Sequence, residues 1–136
     1  MEQLLLGNAE EFSRELSRYL ETVVSYYDTA KQESFYHGLM LGMMALFTAR
    51  YHIRSNRESG YGRFDLAAFP KKQGQSGILM EFKVAETEAA LERETTAALK
   101  QMEDMDYMAE FRAQGTETVW KYGIAFCGKK LKMVRG

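Results

Sequence analysis

Residues 78–84 limit the possible folds of this chain more than any other segment. Every residue in this run is apolar except Glu81 and Lys83. A short apolar run between turn residues is typical of a strand that is buried on both faces, at the centre of a sheet. Because strand side chains alternate between the two faces, Glu81 and Lys83 share one face. Burying a lone charge is costly, so this strand predicts either paired charges or a metal site.

The hydrophobic period changes along the rest of the chain and predicts an α/β fold. Apolar residues recur at helical spacing in some segments, whereas shorter segments alternate as strands do. Asn8 is predicted to cap the first helix, Gly115 to cap the third, and Pro70 to end the second strand. The predicted elements are helices over residues 8–28, 32–50 and 86–114, and strands over residues 51–55, 63–69, 78–84, 118–126 and 130–134.

Composition excludes several classes of protein. The chain has 136 residues, 46% of them hydrophobic and 27% charged, which favours one soluble globular domain over a disordered segment. No apolar run is long enough for a transmembrane helix, and the first residues, MEQLLL, do not resemble a signal peptide. Cys127 is the only cysteine, which excludes an internal disulfide and a multi-cysteine zinc site. A reducing, cytoplasmic setting is expected.

Charge is distributed unevenly although the formal net charge is only −1. Acidic residues dominate segments 1–28 and 86–110, and basic residues dominate segments 50–72 and 121–136. If the basic segments meet in space, they form a patch that attracts phosphates. The alternative is that all four segments are solvated faces without a partner.

Asp65 adds a second carboxylate to the predicted charged site. It is predicted to lie in the second strand, and pairing of that strand with the third brings it towards Glu81. Two carboxylates suit a hard divalent cation, and a neighbouring lysine suits the orientation of an attacking water. The three residues together indicate metal-dependent phosphodiester hydrolysis. The alternative is an ion pair of Lys83 with either carboxylate at a sheet edge.

Four blocks of sequence occur in a fixed order within residues 20–134. They are SFYHG (residues 34–38), SNRESGYGRFD (residues 55–65), EFKV (residues 81–84) and KYGIAF (residues 121–126). In this order they resemble the PD-(D/E)xK nuclease superfamily, and within it the bacterial domain found C-terminal to AAA-ATPase-like modules. The resemblance implies a restriction-endonuclease-like core, α-β-β-β-α-β, with a mixed central sheet flanked by helices and an extra N-terminal helix. It divides the chain into an N-terminal linker helix, residues 1–30, and a nuclease-like domain, residues 31–136.

The resemblance also implies a function, metal-dependent hydrolysis of DNA with Mg²⁺ or Mn²⁺. Asp65, Glu81 and the main-chain carbonyl of Phe82 would be the metal ligands. Lys83 would be the catalytic lysine. Glu33 and Gln101 take the places of auxiliary polar residues that support the site.

Candidate DNA contacts flank the glycine-rich turn beside Asp65. Arg54, Arg57 and Arg63 are candidates for phosphate contacts, and Tyr61 is a candidate for stacking on a base. The alternative is a solvated hairpin. His37, on a mostly apolar helix, is interpreted as a hydrogen-bonded structural histidine rather than as a base or a metal ligand.

Two other functions stay open at this point. The chain could be a catalytically inactive DNA-binding or protein-interaction domain, or an assembly partner for an ATPase. Longer relatives carry an ATPase module, whereas this chain has no G-x-x-x-x-G-K-[ST] phosphate loop and is not expected to bind ATP in that manner. Homodimerisation is a further hypothesis, because many relatives dimerise and residues 1–28 offer an amphipathic helix for packing.

Overall fold

A mixed sheet of five strands forms the middle layer of the computed structural model, which describes residues 2–22, 33–55, 65–104 and 108–136. The strands are β1 (Tyr51–Ser55), β2 (Leu66–Pro70), β3 (Gly77–Val84), β4 (Val119–Cys127) and β5 (Lys130–Arg135). The helices are α1 (Glu2–Leu5), α2 (Ala9–Thr22), α3 (Glu33–Met44), α4 (Leu91–Asp104) and α5 (Met108–Ala113), with 3-10 turns at Ala45–Phe47 and Glu88–Ala90.

Strand β3 occupies the centre of the sheet, whose order is β1-β2-β3-β4-β5. It runs antiparallel to β2 and parallel to β4, while β1 and β5 pair antiparallel with β2 and β4. Its residues from Gly77 to Phe82 are all buried. The apolar run at residues 78–84 is therefore the central strand that the sequence predicts.

Helices cover both faces of the sheet, because each face of β3 carries its own apolar cluster. Ile78, Met80 and Phe82 belong to the larger cluster, which also contains buried residues of α2 and α3. Leu79 points the other way, into a smaller cluster with residues of α4 and α5. This arrangement confirms the predicted α/β fold with a restriction-endonuclease-like core and a mixed sheet flanked by helices.

The N-terminal helices pack into the larger cluster and form the extra helical element of the fold. Leu4, Phe12 and Leu16 are fully buried there. The Asn8 side chain accepts a hydrogen bond from the Glu11 N–H at 3.2 Å, which confirms the predicted helix cap. Residues 23–30 of the predicted linker lie outside the described residues. None of the helices in the described ranges is long and apolar enough to cross a membrane.

Several predicted boundaries were wrong. The predicted helix over residues 86–114 begins later, because Thr87 is extended (φ −136°) and Glu88–Ala90 form a 3-10 turn before the α-helix starts at Leu91. Its last part is the separate helix α5, and residues 105–107 lie outside the described part of the chain. The predicted helix over residues 32–50 ends at Met44 and continues as a 3-10 turn. Gly115 has φ +78° and ends α5 as predicted.

Candidate metal and catalytic centre

Asp65 lies at a bend immediately before β2, not within the strand as predicted. Its N–H donates to the Met80 carbonyl at 3.0 Å, and its Oδ2 accepts the Phe82 N–H at 2.6 Å. The β2–β3 ladder begins with the pair Leu66 and Met80. The Asp65 side-chain oxygen therefore continues the hydrogen bonding of β3 beyond the first residue of β2. This bond fixes the carboxylate of Asp65 against the backbone between Glu81 and Lys83.

Glu81 and Lys83 lie on the same face of β3, as the strand alternation predicts. Both side chains reach Gln101 on α4: the Gln101 Nε2 donates to Glu81 Oε1 at 2.9 Å, and the Lys83 Nζ donates to Gln101 Oε1 at 2.8 Å. Glu81 is only 3% exposed, whereas Lys83 is partly accessible. The amide thus bridges a buried carboxylate and the ammonium group of a partly exposed lysine.

Gly123 sets how closely α4 approaches the sheet beside this bridge. It pairs with Glu81 across the parallel β3–β4 ladder. A Cβ at this position would lie 2.9 Å from the Thr95 carbonyl oxygen and 3.2 Å from the Ala98 Cβ. Helix α4 therefore rests directly on the β4 backbone, and this contact brings Gln101 within hydrogen-bond reach of β3.

His37 lies beside Asp65, although its position on a mostly apolar helix indicated only a structural role. It is 5% exposed, and its Nδ1 is 3.9 Å from Asp65 Oδ1. Its Nε2 is 2.7 Å from Ser55 Oγ on β1, so the predicted hydrogen bond is present. The periodicity of α3 could not show this proximity to the carboxylate. The available signal was that His37 belongs to the same ordered set of sequence blocks as Asp65.

Of the other predicted site residues, only Arg54 has a described side chain. Arg54 is exposed on β1, where its Nη1 is 2.5 Å from Glu110 Oε2 and its guanidinium carbon is 4.8 Å from the centre of the Phe69 ring. Arg57, Tyr61 and Arg63 lie outside the described residues. Glu33 is the first residue of α3, and its side chain lies outside the described part of the chain. Among the described residues, Arg54 pairs with Glu110 on the surface and not with the carboxylates of the proposed site.

The donor set suits a hard divalent cation, although the described residues contain no group of three or more His, Cys, Asp or Glu side chains placed to hold a metal. Asp65 and Glu81 supply two carboxylates. Mg²⁺ prefers oxygen ligands and commonly takes only one or two carboxylates, with water and substrate phosphate completing its coordination. Two carboxylates on neighbouring backbone segments therefore fit this kind of ion by their chemistry.

Comparison with known families agrees with the fold. A family model described as the PD-(D/E)XK nuclease superfamily matches residues 31–136, a range that contains Asp65, Glu81 and Lys83. No curated protein and no solved structure matches the chain significantly. Members of this superfamily are typically nucleases and generally use divalent metals. The match extends over most of the sequence, and the chain belongs to the PD-(D/E)XK nuclease superfamily.

Proposed function

We propose that this protein is a metal-dependent nuclease that hydrolyses phosphodiester bonds in DNA. The observation that carries the proposal is the 2.6 Å hydrogen bond from the Phe82 N–H to Asp65 Oδ2. Phe82 stands between Glu81 and Lys83, so this bond gathers two carboxylates and a lysine around one stretch of β3. Such a set matches the requirements of metal-assisted phosphodiester hydrolysis.

The proposed metal ligands are Asp65, Glu81 and the main-chain carbonyl of Phe82. The N–H and C=O of one strand residue leave the strand on the same side. Since the Phe82 N–H bonds to Asp65, the carbonyl of Phe82 also faces the Asp65 side of β3. The proposed cation is Mg²⁺ or Mn²⁺, because all three donors are oxygen atoms.

Lys83 and Gln101 are the proposed partners of the substrate and of water. A divalent cation held by the proposed metal ligands would supply Lewis-acid stabilisation of the negative charge on the scissile phosphate and on the leaving oxygen. An ammonium group has three N–H donors, and Lys83 uses one of them on Gln101. The others can orient the attacking water or donate to a phosphate oxygen. Gln101 holds Lys83 and Glu81 in a fixed relation while this occurs.

Substrate contacts outside the centre are proposed for Arg54, Arg57, Arg63 and Tyr61. Arg54 is paired with Glu110 on the surface, where both side chains are more than two-fifths exposed. An exposed ion pair contributes little free energy. A DNA phosphate can therefore replace the carboxylate of Glu110 as the partner of Arg54 at small cost.

Calorimetric titration with Mn²⁺ and Mg²⁺ tests the proposed ligands. Wild type is expected to bind the metal, and Asp65→Asn and Glu81→Gln are expected to lose most of that affinity because each loses an anionic donor. Glu117→Gln removes an exposed carboxylate far from these residues in sequence and is the matched control. A wild type that binds neither ion, or an Asp65→Asn variant with unchanged affinity, would contradict the assigned site.

Cleavage assays on duplex, single-stranded and branched DNA test the activity itself. We expect metal-dependent cleavage of at least one substrate by wild type and by Glu117→Gln, and none by Lys83→Met. Metal binding without cleavage of any DNA would contradict the nuclease proposal. That outcome would favour an inactive DNA-binding or protein-interaction domain.

A further inference from the structure

His37 contacts three segments of the chain beside the proposed centre. It lies on α3, and it touches Ser55 on β1, Asp65 before β2 and Phe82 on β3. Only 5% of the residue is exposed. Burying a polar ring costs free energy unless its nitrogen atoms have polar partners.

The two carboxylate oxygens of Asp65 have different neighbours. Oδ2 accepts the Phe82 N–H at 2.6 Å, which fixes one side of the carboxylate. Oδ1 lies 3.9 Å from the Nδ1 of His37, which is too long for a direct hydrogen bond but makes the imidazole edge a near neighbour of that oxygen. The Phe82 backbone therefore holds one oxygen of the Asp65 carboxylate, and the His37 ring lies near the other.

The orientation of the His37 ring is itself fixed at two points. Its Nε2 is 2.7 Å from the Ser55 hydroxyl. The ring also meets the Phe82 ring edge to face, with centroids 5.9 Å apart and planes at 78°. With these two contacts in place, the ring cannot turn away without losing a partly buried hydrogen bond, so the Nδ1 edge stays towards Asp65.

We propose that His37 is a positioning residue that holds the Asp65 carboxylate in its metal-binding orientation, with Ser55 orienting the His37 ring. The proposal rests on the proposed function, in which Asp65 is a metal ligand. Partners that orient a metal ligand commonly change metal affinity about 10- to 100-fold when they are removed.

Mn²⁺ titration calorimetry of His37 variants tests this role. His37→Ala is expected to weaken Mn²⁺ binding about 10- to 100-fold, as is typical for the loss of an orienting partner. His37→Asn keeps a polar amide near the Nδ1 position and is expected to recover most of the affinity. Ser55→Ala is expected to weaken binding less than His37→Ala does, because the ring keeps its contact with Phe82. The other histidine, His52, is exposed on the same strand as Ser55, and His52→Gln is the matched control.

Thermal melting of the same metal-free variants separates positioning from a purely structural role. If all His37 variants melt earlier but bind Mn²⁺ as wild type does, the proposal is overturned. If His37→Asn binds no better than His37→Ala while both are folded, it is also overturned. Should His37→Ala not fold, Ser55→Ala still decides, since wild-type Mn²⁺ affinity in that variant contradicts the proposed orientation of the His37 ring by Ser55. A wild type without Mn²⁺ affinity instead refutes the proposed function, and the positioning role with it.

Discussion

At the scale of single residues, the proposed centre depends on an amide side chain that both donates and accepts. Gln101 donates to the buried Glu81 and accepts from Lys83. A carboxylate in its place could not donate to Glu81, and an apolar side chain could do neither. Gln101 therefore gives each of the two charged residues of β3 a hydrogen-bond partner on α4.

Replacing Gln101 by methionine is expected to destabilise the protein and to slow cleavage. The variant keeps the side-chain volume but leaves a buried carboxylate oxygen without its donor, which costs about 1–3 kcal/mol. Lys83 also loses its fixed partner, so the rate of cleavage is expected to fall even at saturating metal. Urea unfolding in a metal-free buffer measures the first effect, with Gln114→Met at an exposed position as control. Unchanged stability in Gln101→Met would show that the bridge is not needed to bury Glu81.

At the scale of elements, the packing of α4 on β4 determines whether Gln101 reaches β3. Gly123→Ala would bring a Cβ to 2.9 Å from the Thr95 carbonyl oxygen, which is backbone and cannot turn aside. We expect a loss of about 1–3 kcal/mol in the free energy of unfolding, the range typical of overpacked cores. Because α4 must shift, cleavage is expected to decrease as well. Wild-type stability together with wild-type cleavage would disprove this account of the close contact.

At Gly42 on α3, in contrast to Gly123, replacement by alanine is expected to stabilise the protein. Apart from its chain neighbours and the backbone of its own helix, no atom of the described residues lies within 4 Å of a Cβ added there, and Gly42 is inside the helix Glu33–Met44. Gly42→Ala is therefore expected to raise the free energy of unfolding by about 0.4–1 kcal/mol, through the lower entropy of the unfolded chain. Chemical denaturation of both glycine variants under one set of conditions measures the contrast. A destabilised Gly42→Ala would mean that this face of α3 is not open space.

The central strand could be predicted from the sequence, whereas contacts between separate elements could not. The apolar run at residues 78–84 gave the central strand, because hydrophobic pattern and strand period act locally. It also placed Glu81 and Lys83 on one face. The exact place of Asp65 was wrong, since its carboxylate completes a ladder bond that depends on the partner strand. The proximity of His37 to Asp65 was not predicted for the same reason, because it arises only when α3 and β1 pack beside β2.

At the scale of the whole molecule, the N-terminal segment is attached to the sheet by polar as well as apolar contacts. The Tyr122 hydroxyl donates to the Leu4 carbonyl at 2.6 Å, and the Trp120 Nε1 donates to the Leu5 carbonyl at 3.1 Å. Burial raises the pKa of Tyr122 against the opposing effect of Arg135, so the hydroxyl stays protonated as a donor. Leu16 of α2 is buried in the same cluster as Phe82 of β3. These contacts indicate that residues 2–22 and the sheet share one core.

A shared core predicts a single cooperative unfolding transition. Trp120 is the only tryptophan, and because its ring NH contacts Leu5, its fluorescence reports on the attachment of the N-terminal segment. Far-ultraviolet circular dichroism reports on the whole fold.

We expect the two signals to change at the same urea concentration, and Leu16→Ala to shift both equally while destabilising the protein by about 2–5 kcal/mol. Tyr19→Ala, on the partly exposed side of α2, is the control with a smaller effect. If fluorescence changes at lower urea than circular dichroism, the N-terminal helices unfold as a separate unit, and the division at residue 30 describes a real boundary.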